Sequence, residues 1–168
     1  MTAPSLKQTA LADLEQELAT TRRVLDRVPD EHLDWKPHAK SWSLGALATH
    51  LATIPTYGTA ILGQDELDAS TLPPNTLAAS REELLRRFDE NVAGLRGLVA
   101  TTDDDALART WTFRSGEQVI FQQSRTALLR MLVVSHMVHH RAQLGVYLRL
   151  LDQPVPSVYG PSADESPF

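Results

Sequence analysis

Three histidines have the spacing and the neighbours that a metal site requires. His136 and His140 are four residues apart, and because each helical residue advances by about 100°, both side chains project from one face of the same predicted helix. His50 belongs to the apolar face of another predicted helix, together with Leu47 and Ile54. Three neutral imidazoles could hold one divalent ion and leave a coordination position for water or a substrate, as in catalytic sites.

The alternative for these histidines is packing in the core, with each imidazole hydrogen-bonded to a carbonyl group. An unpaired buried polar group costs on the order of 1–3 kcal/mol, so a buried histidine needs either such a bond or an ion. The residues leave this choice open, and they also leave the ion open, because imidazole suits Zn, Ni, Cu and Fe. His139 lies about 60° from His136 and about 100° from His140 around a helix, which makes it the weaker ligand candidate.

Polar and aromatic side chains accompany the histidines on the predicted ligand faces. The residues within about 60° of His136 form the stripe expected in the core. They are Leu129, Leu132, Val133, Gln143, Tyr147 and Leu151. Gln143 is the one uncharged polar residue of this stripe, and Tyr147 and Tyr57 also project near the ligand faces. Each could contact a bound molecule or orient a ligand, the alternatives being core packing for the tyrosines and a rim position for Gln143.

Helical periodicity and capping residues predict the elements that position these side chains. Ser43 can cap the helix that carries His50, with Pro55 expected to kink or split it, and Ser80 and Glu83 match a capping box. Four helices are predicted, over residues 6–28, 44–61, 81–99 and 124–151. They favour an all-α four-helix bundle, a fold whose interior often carries metal sites, in a single domain over residues 1–168.

The segments between these helices are less regular. Residues 101–123 alternate partly around Ser115-Gly116 and predict either a short hairpin or an irregular excursion before the last helix. Trp35, Trp42 and Trp111 are expected in connections that cover the ends of the bundle, although loop aromatics can also line a pocket mouth. Two arginines, Arg141 and Arg149, project away from the histidine stripe and are expected in ion pairs at a surface or subunit contact.

Composition excludes several classes of function. The chain has 168 residues, of which 42% are hydrophobic, and a net charge of -5, which disfavours binding to nucleic acids or anionic membranes. It contains no cysteine, so disulfides, thiolate metal sites and a cysteine nucleophile are excluded and any thiol chemistry needs an external thiol. We expect a cytoplasmic protein, since the sequence has neither a signal core nor a membrane span. Motifs of serine hydrolases, phosphate loops and dinucleotide folds are absent.

Three segments resemble the DinB family. The run Ser135-His136-Met137-Val138-His139-His140-Arg141-Ala142-Gln143, followed by Val146-Tyr147-Leu148-Arg149, is similar to the last-helix signature of that family. The segment Trp42-Ser43-Leu44-Gly45 with the following His50 resembles its second-helix signature. The ending Val155-Pro156-Ser157-Val158-Tyr159-Gly160-Pro161 also fits members of the family.

The resemblance implies a bundle with up-down-down-up topology and one divalent ion per chain, commonly nickel or zinc, held by His50, His136 and His140. It further implies frequent homodimers and, in some branches, transfer of a low-molecular-weight thiol of the bacillithiol or mycothiol type to an electrophile. The resulting expectation is a metal-dependent enzyme with a small-molecule substrate, acting by thiol transfer or by hydrolysis. The alternatives are a stress-related metal-binding bundle without turnover and a bundle whose histidines are core residues.

Overall fold

A computed structural model describes residues 5–166, without the side chains of residues 9 and 10. The chain is mainly helical, as predicted, and adds a small sheet. The α-helices are α1 (Leu6–Ala10), α2 (Leu14–Leu25), α3 (Leu44–Thr53), α4 (Pro55–Gly63), α5 (Arg81–Thr101), α6 (Asp104–Ala108), α7 (Arg125–Leu128) and α8 (His136–Leu150). The strands are β1 (Glu66–Asp68), β2 (Thr110–Ser115) and β3 (Gln118–Ser124). A π-helical segment, Leu129–Ser135, joins α7 to α8.

The bundle consists of α2, the α3 and α4 pair, α5, and the continuous run from α7 to α8. Helices α2 and α3 each pack against both α5 and α8, and α4 packs against α5 and the π-helical segment. The hydroxyl oxygens of Ser43 and Ser80 accept bonds from the amides of Ala46 and Glu83, which fixes where α3 and α5 begin. Residues at the centre include Leu51, buried completely. Burial of such side chains is what holds the histidine-bearing helices together.

Two predicted helices are divided in the structure. Pro55 splits the second one into α3 and α4, as expected, because proline lacks the amide that would continue the backbone ladder. The prediction of one helix over residues 6–28 is wrong, since a turn separates α1 from α2 and α2 ends at Leu25. The amides of Leu6 and Lys7 donate to the Asp104 carboxylate, so α1 is fixed against α6 while α2 follows the bundle.

The stretch before the last helix, predicted as a hairpin or an irregular excursion, forms α6 and then the hairpin of β2 and β3. Gly116 lies in its turn at a φ of 57°, where glycine has no steric penalty. Strand β1 pairs in parallel with β2, which gives a three-stranded sheet in the order β1-β2-β3. Trp111 is buried in β2 with 1% of its surface exposed, so its predicted position in a connection is wrong.

The buried stripe of α8 differs from the predicted one. Its buried residues are Met137, Arg141, Leu144 and Leu148, whereas His136, His140 and Tyr147 are half-buried and Gln143 is exposed. Arg141 is therefore no surface residue. Its guanidinium lies 2.6 Å from the Glu17 carboxylate, and the two side chains are 2% and 6% exposed. Arg149, in contrast, forms an exposed ion pair with Asp164, as expected. Within residues 5–166, we find no helix both long and apolar enough to cross a membrane.

Candidate metal centre

The three predicted ligand residues meet in one cluster. The Nε2 atom of His136 lies 3.1 Å from Nε2 of His50 and 2.9 Å from Nε2 of His140. A tetrahedral ion with bonds of about 2.0–2.1 Å places its nitrogen ligands roughly 3.3–3.4 Å apart, so the cluster is close to that spacing. The donor set therefore fits a divalent ion of the kind that imidazole binds, and the three residues could hold one.

Helix geometry explains how the cluster forms. His136 is the first residue of α8 and directly follows the π-helical segment, while His140 lies one turn later on the same side. His50 comes from α3, which packs against α8. Extra residues in a π-helical turn change which side chains face a neighbour, and such turns are frequent at functional sites. The segment before His136 thus sets the face that α8 presents to α3.

Burial keeps the three imidazoles neutral near pH 7. It lowers the pKa of His50 to about 4, with a further contribution from the neighbouring His140 and His136. Burial is also the main cause of the lowered pKa values of His136 and His140. Because only a neutral imidazole can donate its nitrogen lone pair to an ion, the environment favours the form that binds metal.

Gln143 orients one of the three rings. Its Oε1 atom lies 2.8 Å from Nδ1 of His140 and can accept the proton of that nitrogen. This tautomer leaves the lone pair on Nε2, which faces the other two histidines. His139 takes no part in the Nε2 cluster, although its ring centre is 4.7 Å from that of His140 and its side chain is exposed. The position of His139 outside the cluster agrees with the sequence expectation, whereas Gln143 is exposed and does not belong to the buried stripe in which it was predicted.

Trp42 forms a wall of the site rather than a cover for the bundle end. Its ring stacks on His140 at 5.7 Å and 16°, and it meets the ring of His50 edge-on at 5.1 Å. Tyr147 contacts the backbone of Trp42, since its hydroxyl donates a hydrogen bond to the Trp42 carbonyl. The Tyr147 ring packs against Trp35. Tyr147 therefore supports Trp42, and the expectation that the tryptophans mainly cover bundle ends is wrong for Trp42.

A cavity of about 580 Å³ reaches the histidine cluster at His50 from the side of α4 and α5. His50 and Tyr57 line it, and the Tyr57 ring centre is 5.9 Å from that of His136. Burial raises the pKa of Tyr57, so its hydroxyl keeps its proton. The sequence reasoning missed the threonines of this cavity, Thr53, Thr56 and Thr59. Their regular spacing of three residues was the available signal.

Comparison with known proteins identifies relatives of this chain. A model of the DinB family matches residues 1–167. The uncharacterized protein YrdA of Bacillus subtilis is 27% identical over 163 residues, which covers 92% of this chain and 89% of YrdA. Neither match names a substrate or an activity.

Solved structures share the fold. A DinB-like protein from Bacillus cereus superposes with a TM-score of 0.71 at 22% identity, over 90% of this chain and 97% of that one. The DinB-like protein YjoA from Bacillus subtilis gives a TM-score of 0.66 at 16% identity, over 89% of this chain and 96% of that one. At such identities the superpositions establish the architecture alone.

Proposed function

Because this chain belongs to the DinB family, we propose that it is a metal-dependent enzyme that transfers a low-molecular-weight thiol to an electrophilic small molecule. The observation that carries this proposal is the cavity beside His50, which gives a small molecule access to a cluster of three neutral imidazoles. His50, His136 and His140 would hold one divalent ion, with zinc or nickel as the first choices. Such an ion lowers the pKa of a thiol or a water molecule bound to it.

The chain's own residues prepare the site for this chemistry. Gln143 orients His140 through Nδ1, and Trp42 covers that ring and His50 on the side of the α3 N-terminus. Since the chain contains no cysteine, the thiol would be a cosubstrate, and the resemblance to the DinB family implies one of the bacillithiol or mycothiol type. In the reaction the thiol loses its proton to solvent, its sulfur forms a bond to the electrophilic carbon, and the leaving group departs with its electron pair.

The cavity also favours turnover over metal storage. A closed structural site surrounds its ion with protein ligands, whereas a catalytic site keeps a position for an exchangeable ligand. Three histidines supply fewer ligands than a tetrahedral ion requires, and His50 lies in the cavity wall. Hydrolysis of a small substrate uses the same arrangement with water in place of the thiol, and it would consume the electrophile without forming a thioether.

The test uses protein loaded with Zn²⁺ or Ni²⁺, a panel of cellular thiols and 1-chloro-2,4-dinitrobenzene as the electrophile. Thioether formation is followed by mass spectrometry for the wild type, His140→Ala and the matched control His139→Ala. We expect adduct formation above the uncatalysed rate in the wild type and His139→Ala, and none in His140→Ala. Equal rates in the wild type and His140→Ala for every thiol would reject thiol transfer.

A further inference from the structure

The cavity beside His50 is rich in hydrogen-bond acceptors. Thr53 at the end of α3 and Thr56 and Thr59 on α4 contribute hydroxyls, and each hydroxyl donates its one hydrogen to a backbone carbonyl of the preceding turn. The distances are 2.8 Å for Thr53 and Thr56 and 3.4 Å for Thr59. A hydroxyl has one hydrogen and two lone pairs. Because the hydrogen of each threonine is already used, these oxygens can only accept hydrogen bonds from a ligand.

Helix α5 adds further acceptors on the opposite wall. The Asn91 amide donates one of its two Nδ2 hydrogens to the Ala52 carbonyl at 3.0 Å, which leaves its Oδ1 as an acceptor and the second Nδ2 hydrogen as a donor. Glu90 places a carboxylate at the rim, where 62% of its side chain is exposed. Arg86 pairs with Glu90 from outside the cavity, but such an exposed pair is weak and leaves the carboxylate available.

No lysine or arginine lines this cavity in the described part of the chain. A ligand carboxylate that entered it would lose water and meet many acceptor oxygens. The available donors are all uncharged, namely Tyr57 and the side-chain amides of Gln64, Asn75 and Asn91. A ligand with hydroxyl or amino groups would instead find matching acceptors. Pro73 and Pro74 supply an apolar surface for its carbon skeleton.

We propose that this cavity binds the non-reacting part of the substrate and selects molecules that carry hydroxyl or amino groups and no carboxylate. The inference rests on the proposed function because it places the thiol cosubstrate between the histidine cluster and the threonines. It goes beyond that function by naming the chemical class that the cavity accepts, and it favours a mycothiol-type thiol over bacillithiol, whose malate group carries two carboxylates. The three threonines, Asn91 and Glu90 are the residues that make the selection.

Four thiols with the same three-carbon skeleton test the inference: 1-thioglycerol, 3-aminopropanethiol, 1-propanethiol and 3-mercaptopropionate. Their dissociation constants are measured by calorimetry with the Zn²⁺-loaded protein. We expect 1-thioglycerol and 3-aminopropanethiol to bind about tenfold more tightly than 3-mercaptopropionate, since each gains a hydrogen bond that the carboxylate cannot make. Equal affinities, tightest binding of 3-mercaptopropionate, or no binding of any of the four would overturn the inference.

Matched variants identify the residues responsible. Thr56→Val keeps the shape of the side chain. It should weaken the binding of 1-thioglycerol several-fold while leaving the affinity for 1-propanethiol unchanged. Glu90→Lys should remove most of the preference for 3-aminopropanethiol over 3-mercaptopropionate. Glu82→Lys makes the same charge change on α5 outside the cavity and should leave the preference intact. A preference that Glu90→Lys and Glu82→Lys alter equally would show a general effect of protein charge and overturn the assignment.

The proposed function and this inference fail in different ways. The predicted order of affinities without adduct formation would retain the cavity's selectivity and reject thiol transfer. Adduct formation at equal rates from all four thiols, with equal affinities, would retain thiol transfer and reject the selectivity.

Discussion

The Oε1 atom of Gln143 lies 2.8 Å from Nδ1 of His140, on the side of the ring opposite the histidine cluster. Partners of this kind fix the tautomer of a ligating histidine, and their loss typically lowers metal affinity by 10–100-fold. We therefore expect Gln143→Leu to weaken Zn²⁺ binding by about 10–100-fold, measured by competition with a chelator. Gln143→Glu keeps an acceptor and should stay close to the wild type. Equal losses in both variants would contradict the role of this hydrogen bond.

The half-exposed Trp42 should report metal binding. Its ring centre is 5.7 Å from that of His140 and 5.1 Å from that of His50, so an ion among the histidines changes its surroundings. Titration with Ni²⁺ should quench tryptophan fluorescence in the wild type to a plateau at one equivalent. Trp42→Phe should still bind the ion but lose most of the quenching, because the ring contacts of the other tryptophans, Trp35 and Trp111, are with Tyr147 and Phe113. Quenching that is unchanged in Trp42→Phe would place the ion elsewhere.

Burial of Arg141 and Glu17 predicts an unequal response to arginine substitution. Arg141→Leu leaves the Glu17 carboxylate in the core without its ion pair, and removing one partner of a buried pair typically costs about 3–5 kcal/mol. Arg149→Leu removes an exposed pair with Asp164 and should change the free energy of unfolding by about 0–1 kcal/mol. Urea denaturation of the two variants measures both values. Similar losses would contradict the buried position of Arg141.

Adding Glu17→Leu to Arg141→Leu should recover part of the lost stability. The double substitution removes the isolated carboxylate and replaces both polar groups with apolar ones, which is often close to neutral. A double variant less stable than the sum of the single changes would show that the remaining partners, Thr21 and Tyr159, depend on the pair.

Acid should destabilise the metal-free protein through the histidine cluster. Since the fold lowers the pKa of His50 from 6.5 to about 4, the folded state binds fewer protons than the unfolded state in that interval. The stability that depends on neutral His50 is present above pH 6.5 and is lost as the pH falls towards 4. The melting temperature of the metal-free wild type should therefore decrease over this range, and His50→Phe should flatten the decrease.

His38→Ala is the control for this pH dependence, because His38 is an exposed residue outside the cluster. Its slope of melting temperature against pH should equal that of the wild type. A slope that His38→Ala and His50→Phe reduce equally would contradict a special contribution from His50.

The sequence was sufficient to predict the helical class, the break at Pro55 and the histidines that meet. These features depend on local rules, namely helical periodicity, the missing amide of proline and the positions of residues four apart. The spacing of His136 and His140 needed no knowledge of other elements. The apolar face around His50 indicated that this side chain points into the bundle. Packing of α3 against α8 then brings it to the other two histidines.

Other features depend on tertiary contacts that spacing cannot reveal. Arg141 was predicted at a surface because it is charged and projects away from the histidine stripe. It is buried because its charge is compensated by Glu17, which lies more than a hundred residues earlier in the chain. This pair shifts the buried stripe of α8 to the face of Met137 and Leu144. The π-helical segment also breaks the ideal angular projection used for residues before His136. For Trp42, the sequence could not show that its loop turns back over His140.

We propose that His50, His136 and His140 form one metal centre. The most direct test is the metal content of the purified proteins after equal exposure to Zn²⁺ and desalting, determined by inductively coupled plasma mass spectrometry. The proteins are the wild type and the four variants His50→Ala, His136→Ala, His140→Ala and His139→Ala. We predict about one ion per chain in the wild type and His139→Ala, and loss of the ion in the other three variants. Full occupancy in His136→Ala, whose Nε2 atom is within 3.1 Å of both others, would contradict the claim.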